Sequence, residues 1–79
     1  MKLDLWFQAM WEVLLADEEA CVTLIRAAGG HVQQAVVSLV EGDVSVLDGL
    51  VYVRTLVELG FMTEAREVFS QVLTAAFSI

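Results

Sequence analysis

The sequence predicts an all-α domain of four or five helices set as tandem helical hairpins, one domain over residues 1–79. An α+β fold with a hairpin around residues 44–53 is the alternative. Three observations carry the prediction. Apolar residues recur at the spacing of a helix face through most of the length. Proline is absent, so Gly29-Gly30, Gly42-Asp43 and Gly60 are the natural break points. A glycine, a small residue and a large one then return in the same order thirty positions later. These divide the chain into an N-terminal helix at 1–16, a first helical hairpin at 17–41 and a second at 44–77.

In the first helix Leu3, Phe7, Met10 and Leu14 share one face, while Asp4, Gln8 and Glu12 form a narrow opposite stripe. Trp6 and Trp11 widen the apolar face, so this helix should be covered on more than one side. Asp17 is a suitable N-cap for a second helix, with Glu18 and Glu19 at its positive end. Cys21, Leu24, Ile25 and Ala28 would be its buried face. No glycine separates the two, so one bent helix over Leu3–Ala28 is also open. After Gly29-Gly30, Val32, Ala35, Val36 and Leu39 give a third short helix ended by Gly42.

Over Val44–Leu59, Val46, Leu50, Val53 and Val57 follow helical spacing, and helix is the preferred reading. The string VSVLDGLVYV also reads as a β-hairpin turning at Asp48-Gly49, which is the origin of the α+β alternative. The last helix starts from Thr63 as N-cap, with Glu64 and Glu67 in its first turn. Ala65, Phe69, Val72 and Ala76 mark its apolar face, flanked by Val68 and Leu73.

Aligning Gly30 with Gly60 also aligns Ala35 with Ala65 and Leu39 with Phe69. Glycine closes the interhelix turn, alanine permits close approach, and the large residue fills the gap. With these residues in that order, and with ELGFMTEAREVFSQVL over Glu58–Leu73, the chain resembles tetratricopeptide and pentatricopeptide repeats. A short acidic chain of this layout with an extra N-terminal helix also looks like the needle-subunit chaperones of bacterial type III secretion systems. That resemblance implies a cytoplasmic chaperone or adaptor that holds the amphipathic helix of a needle subunit in a concave groove, together with a small co-chaperone.

Composition narrows the function classes. Hydrophobic residues make up 58% of the chain and mean hydropathy is +0.72, against an apolar share of roughly 45–50% in ordinary domains. A single small core cannot hide that much, and a partner is the natural place for the excess. Gln8, Glu12, Arg54 and Glu58 interrupt the apolar stretches well before the roughly 20 residues of a bilayer span. Only Lys2 precedes the first apolar run, a poor match to a secretory leader, and the lone Cys21 suits a reducing compartment. Four Lys+Arg against eleven Asp+Glu give a net charge of -7, which opposes binding to phosphate backbones.

No catalytic, metal or cofactor constellation emerges. His31 reads as a polar residue near a turn and Cys21 as core, with no third group to make them a nucleophile and base. Asp17, Glu18 and Glu19 read as a helix start, and Gly29-Gly30 lacks the lysine and hydroxyl spacing of a phosphate loop. The expected partner-binding residues are Trp6, Phe7, Met10 and Trp11 on the first helix, and Leu50, Val53, Leu56, Phe69, Val72 and Leu73 lining a groove. Phe61, Met62, Phe77 and Ile79 are further large apolar residues that could face a partner. Two other functions stay open. TLIRAAGGHVQQAVVSLV (Thr23–Val40) is similar to the last two helices of a ubiquitin-associated module, with Leu14-Leu15-Ala16 where that family has Met-Gly-Phe. An obligate homo-oligomer could also bury the excess.

Overall fold

A computed structural model describes residues 2–39 and 42–77. Val40, Glu41 and Ile79, with the side chains of Leu3 and Asp4, lie outside the described residues. The order is α1 (Lys2–Ala16), α2 (Glu18–Ala27), β1 (Val36–Leu39), β2 (Gly42–Ser45), α3 (Val46–Leu59) and α4 (Met62–Ala76). The fold is mostly helical with one small antiparallel ribbon, so its class is α+β rather than all-α.

Asp17 separates α1 from α2. Its backbone is extended, at φ -161 and ψ 109, and its carboxylate accepts the Glu19 N–H at 3.0 Å. The two helices are therefore distinct, and the continuous-helix option does not hold. Cys21 and Ile25 are buried on α2 as expected, but Leu24 and Ala28 are exposed. At the end of α2, the N–H of Gly29 reaches Arg26 C=O at 3.0 Å and that of Gly30 reaches Ile25 C=O at 2.8 Å. Gly60 and Phe61 close α3 in the same way, on Val57 C=O at 3.0 Å and Leu56 C=O at 2.9 Å. Gly29 and Gly60 have φ +93 and +90, the left-handed conformation this closure requires and that glycine adopts without strain.

The expected third helix is absent. Val36–Leu39 is a strand, paired Val36↔Ser45, Val37↔Val44, Ser38↔Asp43 and Leu39↔Gly42. The physical reason is local and tertiary together. Val32, Val36, Val37 and Val44 are stiff β-branched residues that favour extended backbone, and no side chain caps a helix there. Val37 is buried while Val36 and Ser38 are exposed, the alternation of a half-buried strand. The segment that the ubiquitin-associated resemblance expects as its last helix contains this strand.

The hairpin of the α+β alternative lies at 36–45 rather than around 44–53. Asp48-Gly49 is no turn but the first turn of α3. Ser45 caps that helix, accepting the Asp48 N–H at 3.2 Å and donating its hydroxyl to the Asp48 carboxylate at 3.1 Å. A Cβ on Gly49 would stand 2.8 Å from Val72 Cγ2 and 3.4 Å from Val37 Cγ2. Glycine is thus the residue that lets ribbon, α3 and α4 meet. On α4, Thr63 sits inside the helix and does not cap it. Phe61 holds the cap position without a side-chain bond.

Ala65, Phe69, Val72, Leu73 and Ala76 of α4 face Val46, Leu50, Val53 and Leu56 of α3 in the core, and Val37 of the ribbon closes over them. The His31 N–H donates to Ala76 C=O at 2.6 Å, tying the loop after α2 to the end of α4. Among the described residues no polar or charged side chain is buried.

Candidate partner-binding surface

The structure brings the expected groove residues together but closes over them. Leu50, Val53, Phe69 and Val72 have no exposed surface, and Met10, Trp11, Leu56 and Leu73 are nearly as buried. Trp6 and Phe7 are half-buried. The reason is that α1 fills the space a partner helix would need. Phe7 and Trp11 pack on Phe69 with ring centroids 5.3 Å and 5.5 Å away, and Trp6 meets Phe77 edge-on at 4.8 Å. These ten residues make core and half-buried flank, and no open groove among the described residues is lined by them.

Arg66 of α4 completes this aromatic cluster. Its guanidinium carbon lies 5.3 Å from the Phe7 ring centroid and 5.2 Å from that of Trp11, a cation–π arrangement that covers the ring faces. Arg54 ties the other end of α1. It donates to Leu14 C=O at 3.0 Å and Leu15 C=O at 2.7 Å, supplying partners for carbonyls that a helix end leaves free. Glu58 sits 3.6 Å from the same guanidinium.

The apolar surface that remains lies elsewhere, with Leu5, Leu15, Leu24 and Val36 exposed on α1, α2 and β1. Leu47, Val51 and Tyr52 are exposed on the outer face of α3, and Leu59, Phe61 and Met62 are exposed around the Gly60 turn. Of the four further large apolar residues, Phe61 and Met62 are therefore open, Phe77 is covered by Trp6, and Ile79 lies outside the described residues. Leu47, Val51, Tyr52 and Leu59 are not among the residues expected from the sequence to face a partner. Their signal was that α3 carries apolar residues on more than one face. Beside Val51 a shallow depression runs between α3 and the α1–α2 junction, lined by Asp17, Glu18 and Glu58.

Burial pushes the Cys21 thiol up from 9.0 to about 11, with the Glu18 carboxylate adding to the effect. Its Sγ stands 4.0 Å from Met10 C=O, so it packs as a small apolar group. His31 is exposed at the loop after α2. Among the described residues, no three His, Cys, Asp or Glu side chains gather as metal ligands, and no helix is long and apolar enough to cross a membrane. Compared with protein-family models, with curated proteins and with solved structures, the chain matches none.

Proposed function

We propose that this chain is a small acidic chaperone or adaptor that holds an amphipathic helix of a partner protein. The partner class implied by the resemblance is a type III secretion needle subunit or its co-chaperone. The observation that carries the reading is the run of large apolar side chains left open on α3 and the Gly60 turn. A chain with a net charge of -7 keeps such a surface in solution and draws basic partners toward it. The docking surface in this reading is the outer face of α3 rather than the buried groove. The α3–α4 pair, closed at Gly60, is the one helical hairpin of the repeat pattern present among the described residues.

Co-expression with candidate secretion subunits and pull-down of the complex tests the proposal. Capture that is lost in Val51→Glu and Phe61→Asp, both at exposed positions, is the expected result. A monomer that captures none of them, or whose capture survives both substitutions, overturns it. A discrete dimer formed without any partner would instead favour the homo-oligomer.

A further inference from the structure

The ribbon presents a second surface, independently of α3. Among the described residues the sheet has two strands, so β1 has one side without a partner strand there. Register fixes which backbone groups face that side. Val46 N–H donates to Ala35 C=O at 3.3 Å, and Val37↔Val44 and Leu39↔Gly42 fall in step with that pair. Bonded and non-bonded pairs alternate along an antiparallel ladder. The N–H and C=O of Val36 and Ser38 therefore point away from β2.

Beside this edge runs an open trough whose far wall is α4, with Ser70, Gln71 and Thr74 across from Val36 and Ser38. Strand edges are normally protected by charge, proline or a covering element. The outer side of β2 carries Asp43 and commits Ser45 to capping α3. In β1 the sequence Val-Val-Ser-Leu has neither charge nor proline.

We infer that the free edge of β1 takes an extended, basic, β-branched segment of a partner protein as a third strand, its main chain bonded to Val36 and Ser38. Outward N–H and C=O groups at alternate residues are complementary to extended backbone and to no helix. Ser70 and Thr74 are short, leaving room for Val- or Thr-sized side chains over α4. Glu67 stands one turn before Gln71 on the same helix face. The net charge of -7 favours Lys and Arg in the added strand and opposes a second copy of this chain.

The test uses the full chain, isotopically labelled, titrated with the peptide acetyl-Lys-Val-Thr-Val-Thr-Lys-amide. Saturable shifts and slowed amide exchange at Val36 and Ser38 are expected. Ser38→Pro removes an outward N–H but no ladder bond, and should weaken binding by about tenfold with the helices intact. Val36→Lys, which leaves the backbone alone and repels the basic probe, should weaken it as well and carries the test if the proline variant does not fold. No response at millimolar peptide, shifts centred on Val51 and Tyr52, a dimer paired through β1 without peptide, or undiminished binding by folded Ser38→Pro would each overturn the inference.

Discussion

Residues 17–44 and 45–76 begin alike and finish differently. Both start with a capped helix, Asp17 serving α2 and Ser45 serving α3. Both helices end in the same left-handed glycine closure, at Gly29 and Gly60. After Gly60 the chain continues as α4, and after Gly29 it becomes a turn and a strand. The difference lies in the residues beyond each glycine. MTEAREVFSQVLTAA is rich in Ala, Glu, Gln and Arg, which lose little on entering a helix. HVQQAVVSLV is rich in valine and meets Gly42 after barely three turns. An apolar spacing shared by two segments thus fixes which residues can face a core, while side-chain branching and available length decide which backbone delivers them.

The largest expected effect tests whether α1 and α4 belong to one cooperative unit. Phe69→Ala removes the ring on which Phe7 and Trp11 rest and should cost about 3–5 kcal/mol in denaturant unfolding. Amide protection should fall in α1 as well as α4, and loss confined to α4 would show that α1 and α4 unfold separately.

Cys21 reports on the packing of α2 against α1. Its folded pKa of about 11 lies above the ordinary 9.0. The contribution of the neutral buried thiol is therefore complete below pH 9 and is lost as pH rises toward 11. On the order of 2–3 kcal/mol is at stake at full burial. The stability gap between wild type and Cys21→Ala should narrow across that window, and a constant gap would contradict the burial described.

Gly49 tests the junction between ribbon and hairpin. Alanine there gains about 1 kcal/mol of helix propensity, but its Cβ meets Val72 Cγ2 at 2.8 Å, and overpacking costs about 1–3 kcal/mol. Net destabilisation near 1 kcal/mol is expected, and the sign should reverse in a Val72→Ala background, a cycle readable by thermal unfolding. The smallest effect belongs to Arg54→Met, which withdraws two bonds from the end of α1. With Arg54 partly exposed, about 1 kcal/mol is expected, seen as faster amide exchange around Asp17 with α4 unchanged.

Much of this architecture was legible because local signals agreed with packing. The Asp17 cap, the α3 stripe Val46, Leu50 and Val53, and the inward face of α4 are all as the spacing predicts. β1 was not legible, since Val32, Ala35, Val36 and Leu39 satisfy helical spacing equally well. Val37 packing over Gly49 adds to the valines' preference for extended backbone, and that contact between separate elements is not visible in apolar spacing. The expected groove residues are core for a related reason. Periodicity identifies Phe69 and Leu50 as apolar and aligned, but it does not say that α1 will cover them. The exposed residues Val51 and Tyr52 come directly after Leu50 and share its chemistry, so docking alone separates core from surface.

The contact between Trp6 and Phe77 also sets a schedule for folding. The two rings stand far apart in sequence, and such distant contacts form late because loop closure precedes their reward. During synthesis α1, with Trp6, Phe7 and Trp11, emerges before α4. The nascent chain therefore displays an aromatic helix that the finished molecule conceals, and the ribosome-bound intermediate is stickier than its product.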